Sequence, residues 1–523
     1  MKCRLYPISI MVITLISVTP SGLAGALDRT GRMWAPYLEW SLKNSSYKGN
    51  PYDLIAKVTF KHPSGAEHVT EMFYVGNDTW NFRFTGTKTG VWRLTTSSSD
   101  PDLDGHSGSV TISDNSDSKI KGFIRNRGNQ FVRQKDENTV EGYVHNVYMN
   151  GHQNFTFDKD PSDVGIRDYL IEARNNGCNT IWAGSVASHW FNFGAVDKSK
   201  RSPDPKTFEI LERMITTAHA QGGATHIWAW LDDSRNGGSA KQFGGINATA
   251  DRRLQRYIAA RLGPLPGWTM GYGFDLHEYV TKPQLQSWAD YLDGHSGWRH
   301  LLSARGFSLS GSHTIDSYAS ADRPTEELST SLAGPLNYNE VTRHFDRNPS
   351  KPAFYEERHA YLRWGPKTHP PGTTQLTMDR TRRLLWWQMM AGGVGGFIGF
   401  YGPPPKYSAA PPYPNAEQLN THYQFWLVNN RFIPGMSRAN ELTDGIGLKA
   451  RDNKHYVFYR ESATSISMDL AGMNGAQPVV AVDLRRSYSE QNLGTFSPGR
   501  HKWTAPYNSD WAIAVGKFNT VPK

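Results

Sequence analysis

Cysteine is nearly missing from this chain, with two in 523 residues. Cys3 falls in an N-terminal stretch that reads as a removable signal, which leaves Cys178 alone. An intramolecular disulfide is therefore excluded for the mature chain. The run Asn176-Gly-Cys-Asn-Thr-Ile181 reads as the entry to a buried strand, so Cys178 is expected to be a packed thiol rather than a nucleophile. Beyond residue 26 no stretch approaches the ~20 consecutive apolar residues of a spanning helix. Basic residues exceed acidic ones to give a formal charge of +9, but they are scattered. No basic run has the context of a nucleic-acid-binding motif, so nucleic acid is not an expected partner. A mild positive field suits an anionic polysaccharide, and a well-solvated surface explains it equally. The H-E-x-x-H, EF-hand, P-loop and G-x-S-x-G patterns are also missing, which argues against those metal, nucleotide and serine-hydrolase chemistries. No metal and no cofactor are expected.

What is present begins with the signal itself. Lys2 and Arg4 form a positive start, Ile8 to Val18 a short apolar core, and Ala24-Gly25-Ala26 a small-residue cleavage site. Residues 1–26 are predicted to leave, and the protein is expected to be secreted or periplasmic. Asn44, Asn77, Asn154 and Asn247 begin N-x-S/T sequons, which matter only in a eukaryotic secretory route. Aromatic residues are plentiful, with 17 Trp and 24 Tyr. They suit β-rich cores and barrel interiors, and they also suit sugar binding, because aromatic faces stack on sugar C–H faces.

Three segments follow. Residues 27–118 predict an all-β unit: Tyr52–Phe60, His68–Val75, Thr79–Phe84 and Gly90–Thr96 are short strands separated by Gly or Asn turns, a sandwich rhythm. Ser97 to Ser118 reads as a long turn or linker. In residues 119–435 apolar strand-like runs alternate with helix-like segments, the pattern of βα units. Strands are expected near Tyr143–Tyr148, 178–183, 224–231, 269–276, 298–303, 314–318, 352–355 and 392–400. That count, over about 300 residues, predicts a (β/α)8 TIM barrel. Residues 436–523 return to short strands (His455–Tyr459, Ser465–Leu470, Pro478–Asp483 and Asp510–Val515) and predict a C-terminal β-sandwich. The fold class is thus multidomain, a central barrel between two β-sandwiches.

Two glutamates each follow an apolar run that reads as a barrel strand. One ends Gly271-Tyr-Gly-Phe-Asp-Leu-His-Glu278; the other lies in Lys351-Pro-Ala-Phe-Tyr-Glu-Glu-Arg358. In a barrel both reach the same end, and two facing carboxylates are the minimal machinery for glycosidic cleavage. Their separation of 78 residues compares with the ~90 expected for three βα units of about 31 residues each. Salt-bridged surface glutamates are the plainer reading of each one alone. In the second motif Glu357 rivals Glu356, and Arg358 either supports the nucleophile or pairs with Glu357. Asp275 reads as structural.

The chain resembles a known arrangement. Trp34-Ala-Pro-Tyr-Leu-Glu39, Asn50-Pro-Tyr, Phe73-Tyr-Val-Gly-Asn and Phe82-Arg-Phe-Thr-Gly-Thr-Lys-Thr-Gly-Val-Trp92 resemble the N-terminal sandwich that precedes some glycosidase barrels. The middle resembles the apiosidase-like glycoside hydrolases, TIM barrels of a retaining clan. Val482-Asp-Leu-Arg-Arg486, Pro506 and Ser509-Asp-Trp-Ala512 resemble the collagen-binding-like β-domain found at the end of such proteins. The resemblance implies Glu278 after strand 4 as acid/base and Glu356 after strand 7 as nucleophile. It also implies a contact to the sugar 2-hydroxyl from the position before the acid, where this chain has His277 in place of the usual Asn.

Substrate contacts are expected from residues near strand ends: Trp182, Trp190, Trp230, Asp232, Tyr318, Arg358 and Trp364, with Trp228, Asp233, His313, Asp316 and Tyr401 as further candidates. For each, packing is an equal reading. His145-Asn146 and His152-Gln153-Asn154 are expected after strand 1, holding hydroxyls or making turns. The predicted partner is a polysaccharide or oligosaccharide, and the predicted activity retaining hydrolysis. Two alternatives are a non-catalytic sugar-binding barrel and a polysaccharide lyase acting through Tyr or His.

Overall fold

A computed structural model describes residues 27–149, 162–191, 201–231, 239–273, 276, 279–305, 314–317, 337–355, 378–399 and 415–518. The N-terminal strands are β1 (Arg29–Arg32), β2 (Leu38–Lys43), β3 (Ala56–Lys61), β4 (Glu67–Glu71), β5 (Phe73–Gly76), β6 (Thr79–Phe84), β7 (Gly90–Ser98) and β8 (Ser107–Ser113). They form a five-stranded sheet in the order β1-β8-β7-β3-β4 and a three-stranded sheet β2-β6-β5. Alternation puts Val58, Phe60, Trp92 and Leu94 of one sheet against Trp40, Trp80, Phe82 and Phe84 of the other in one core. Trp40 stacks on Phe82 at 5.1 Å, and Phe60 on Phe84 at 4.3 Å. Within the linker expected at Ser97–Ser118, Ser107–Ser113 instead form β8, paired parallel to β1 and antiparallel to β7. Its Ser- and Gly-rich sequence turns only Val110 and Ile112 inward, too little to register as a strand by composition. Asn44 of the first sequon is buried, and its side-chain oxygen accepts from the Tyr47 amide.

A small three-stranded sheet follows: β9 (Ile124–Arg127), β10 (Gln130–Gln134) and β11 (Val140–Gly142). It covers the end of the barrel where the strands begin. Phe131 of β10 enters the barrel interior, and Gln130 donates to the carbonyls of Gly392 and Met436.

The barrel is closed and built from eight parallel strands: β12 (Asn146–Met149), β13 (Thr180–Ala183), β14 (Ala224–Trp228), β15 (Trp268–Gly271), β16 (Leu302–Arg305), β17 (Thr314–Ser317), β18 (Ala353–Tyr355) and β19 (Gly395–Gly399), with β19 paired back to β12. Helices Asp163–Asn175, Pro205–Ala220, Thr249–Leu262, Lys282–Gly294, Tyr338–Asp346, Met378–Ala391 and Ala416–Tyr423 follow strands β12 to β15 and β17 to β19. Ser162 and Asp204 cap the first two by accepting from the Gly165 and Thr207 amides, and Pro205 pre-sets the second. Cys178 is buried just before β13, and burial pushes its thiol pKa well up. Trp298, expected at the start of a barrel strand, instead belongs to the N-terminal core. It stacks on His68 at 4.8 Å, and its indole N–H donates to Thr85 O.

The C-terminal strands are β20 (Ser437–Arg438), β21 (Ile446–Lys449), β22 (Tyr456–Asp469), β23 (Gln477–Asp483), β24 (Glu490–Phe496) and β25 (Arg500–Val515). They make one six-stranded sheet rather than two. The two strands expected at 455–459 and 465–470 are a single β22, whose alternation is broken by register shifts around Ala463. One face of this sheet, with Leu448, Val457 and Ala514, packs on the barrel helix Met378–Ala391; the other, with Phe458, Ile466 and Trp511, encloses its own core. Asp510 joins sheet to barrel, accepting from Arg382 at 2.6 Å and Arg383 at 2.9 Å.

Candidate functional site

The barrel interior is filled from the bottom by a rising series of rings. Phe131 lies 5.0 Å from His145, which stacks on Phe354 at 4.8 Å. His226 comes next, 5.4 Å from Phe354 and 5.2 Å from Phe397. Trp228 packs on Phe397 at 5.3 Å, and Trp182 meets Trp228 edge-on at 5.1 Å. Trp182 is half-buried, so its ring contributes to the surface of the mouth formed where the strands end. Gly184 makes this placement possible, because a Cβ there would sit 1.7 Å from Trp182 Cζ2.

The middle layer is polar. The Thr269 hydroxyl lies 2.8 Å from His226 Nδ1 and 3.2 Å from His145 Nε2, linking the two rings. Burial pushes His145 down to about 3, and burial together with His145 pushes His226 well below its ordinary value. Both imidazoles are therefore neutral at physiological pH. His145 and Asn146 do not follow the first barrel strand: they stand at its start, at the far end from the mouth. The Asn146 amide donates to Gly177 O there, a structural role.

Beyond β14 and β15 the two chains stay paired past the regular strands. Ala229 N donates to Gly271 O and Trp230 N to Tyr272 O, each at 2.8 Å. Gly273 then turns the chain with φ +148°, and a Cβ on it would lie 2.2 Å from Trp230 O, so this position takes only glycine. Leu276 is buried, the Val280 amide donates to its carbonyl, and the Tyr279 hydroxyl donates to Leu231 O. The described chain is thus fixed at Gly273, Leu276, Tyr279 and Val280.

Trp190 and Trp230, expected to stack on substrate, are core residues instead. Trp190 is buried, donates to Ala229 O at 2.5 Å and packs on Phe208. The buried ring of Trp230 stacks on Phe191 and Phe243. Both brace the mouth from behind. Glu278, Glu356, His277, Asp232, Tyr318, Arg358 and Trp364 lie outside the described residues, as do His152–Asn154 and Glu357. In sequence, position 278 follows β15, the fourth barrel strand, by seven residues, and position 356 directly follows β18, the seventh. Among the described residues no three His, Cys, Asp or Glu side chains gather as metal ligands would, and no helix is long and apolar enough to cross a membrane.

Comparison with solved structures shows likeness at the level of fold. The chain is similar to a "putative glycoside hydrolase" from Bacteroides vulgatus ATCC 8482, with TM-score 0.67, 16% identity, and 93% of this chain and 100% of that one covered. It is also similar to a glycoside hydrolase family 5 protein from the same organism, with TM-score 0.57, 15% identity and coverage of 77% and 95%. A third, described as a glycoside hydrolase, has TM-score 0.53, 16% identity and coverage of 77% and 99%. Residues 32–99 match the family described as "Domain of unknown function (DUF5060)". No curated protein matches.

Proposed function

We propose that this chain is a secreted or periplasmic glycoside hydrolase whose (β/α)8 barrel cleaves O-glycosidic bonds of a plant or algal polysaccharide with retention. Glu278 protonates the leaving oxygen and then activates water, while Glu356 attacks the anomeric carbon. One observation carries the reading: the two glutamate motifs follow the fourth and seventh strands of one closed parallel barrel, so both chains emerge at its Trp182-lined end. Strand parity supports Glu356 over Glu357. Phe354 faces the barrel interior, 5.5 Å from Phe397, while Tyr355 packs outward on His344 at 4.7 Å. In a period of two, position 356 has the sequence parity of Phe354 and position 357 that of Tyr355. The similarity to glycoside hydrolase folds supports the reaction class. The apiosidase-like grouping, the cleavage after residue 26 and the unit limits 27–118, 119–435 and 436–523 belong to the same proposal.

The test begins with a screen of plant and algal polysaccharides, identifying products by mass. On the substrate found, Glu278→Gln is expected to lower turnover by about 10²–10⁴-fold, and Glu356→Gln by at least as much, with unchanged melting. Proton NMR of the first product is expected to show the anomer of the substrate. Wild-type turnover in both variants would sink the assignment; the opposite anomer would sink retention.

A further inference from the structure

One hydroxyl joins the exits of the third and fourth barrel strands. Tyr279 donates to the Leu231 carbonyl at 2.7 Å, across 48 positions of chain. Leu231 lies just past the end of β14 and directly precedes Asp232 in sequence; Tyr279 directly follows Glu278. The bond therefore links the sequence neighbours of two expected site residues.

Ring and hydroxyl have separate roles at Tyr279. The half-buried ring packs against the main barrel core, a contact that phenylalanine would also make. The hydroxyl depends on the glycine turn. A Cβ on Gly273 would lie 2.2 Å from Trp230 O and 3.4 Å from Tyr279 Oη, so the turn that takes only glycine also keeps the hydroxyl's surroundings open. The Tyr279 amide donates to Leu276 O at 3.1 Å, and the Val280 amide donates to the same carbonyl at 2.8 Å. The main chain of Tyr279 is thus held to its own strand's exit, and its side chain to the neighbouring strand's. A turn hung from one carbonyl keeps freedom to rock; a second tether removes it. Proton transfer tolerates little rocking, because donor and acceptor must come within about 2.6–3.2 Å.

We propose that Tyr279 is a positioning residue for the acid. Through Leu231 it fixes the chain beside Glu278 against the third strand, and so sets how the Glu278 proton meets the leaving oxygen. The inference rests on the assignment of Glu278 as acid, so both are tested on one pair of substrates. The first is the saccharide found by the screen, whose leaving alkoxide must be protonated. The second is the dinitrophenyl glycoside of the same sugar, whose phenolate leaves without a proton. On each, kcat/KM reports the first bond cleavage.

Glu278→Gln is expected to lose about 10²-fold or more on the saccharide and little on the aryl glycoside. Tyr279→Phe is expected to repeat that bias in smaller measure. Its loss should be about tenfold or more on the saccharide and within about twofold on the aryl glycoside, with melting lowered by no more than about 4 °C. Tyr338→Phe removes a hydroxyl bond to Met390 O among the outer helices and is expected to treat both substrates alike. Equal losses on the two substrates in Tyr279→Phe, wild-type rates on both, or the same bias in Tyr338→Phe overturn the proposal. A Tyr279→Phe chain that does not fold makes the bond a requirement of the fold and overturns it as well. Equal losses in Glu278→Gln sink the acid assignment and this inference together. The bias in Glu278→Gln without it in Tyr279→Phe sinks this inference alone.

Discussion

At Gly184 a single hydrogen decides how the barrel mouth is lined. Its φ of −84° suits any residue, so nothing in the sequence marks it; the demand comes from the indole of Trp182 lying against its Cα. Gly184→Ala is expected to destabilise by about 1–3 kcal/mol, the range for overpacking. It should also lower activity by displacing Trp182, as read by thermal melting and turnover on the screened substrate. Gly273 differs, because its φ of +148° and the Trp230 carbonyl each demand glycine there. The misplacement of Trp230 has a physical cause. Trp228 faces inward, and strict alternation would turn Trp230 the same way. By that residue the chain has left the regular strand, and its ring follows Phe191 and Phe243 instead. Aromatic residues at strand ends were legible as a set; which of them meets the mouth was not.

Elements with full hydrophobic periods were readable, and those with broken periods were not. All eight barrel strands fell near their expected places; most carry apolar residues on both faces, whereas β16 (Leu-Ser-Ala-Arg) and β17 (Thr-Ile-Asp-Ser) carry few and were placed by the βα rhythm around them. β8 was hidden by serine and glycine, and β22 was split in two by the polar stretch Arg460-Glu461-Ser462 at its bulge. The sheet β9–β11 was missed because its function is to close the barrel floor, a long-range task that leaves only Phe131 and Val132 as a short apolar signal. Phe131 is fully buried against His145 and Phe354. Phe131→Ala is expected to cost about 3–5 kcal/mol, measured by denaturant unfolding. A loss below about 1 kcal/mol would mean that the floor does not hold the barrel.

Across the whole molecule the units are locked by buried ion pairs. Arg83 meets Glu39 at 2.6 Å and Glu212 at 2.9 Å between the N-terminal sheets and the barrel. Asp510 ties the C-terminal sheet to Arg382 and Arg383, and its amide contact from Ser462 N holds that residue at φ 45°. Asp510→Asn removes the buried carboxylate that both arginines share, leaving Arg382 only Asp379 at 2.8 Å and Arg383 only Glu461 at 3.4 Å, and is expected to cost about 3 kcal/mol. Hydrogen bonds from both arginines hold the Asp510 carboxyl down to about 2, against 3.8 ordinarily. A depressed carboxylate contributes stability above the unfolded value and loses it as pH falls toward the folded one. The melting advantage of wild type over Asp510→Asn should therefore be full above about pH 4 and fade toward about pH 2. An advantage that persists there would refute the linkage.

The place of β8 between β1 and β7 bears on how the first unit can be handled. A fragment cut to residues 32–99, the span of the family match, would lack β8 and most of β1. One flank of β7 would then offer bare main-chain donors and acceptors along the six residues Gly90 to Thr95, with Trp92 and Leu94 on its inner face. Such an edge is a template for a neighbouring copy, so that fragment should self-associate, whereas one running to residue 113 carries its own cover.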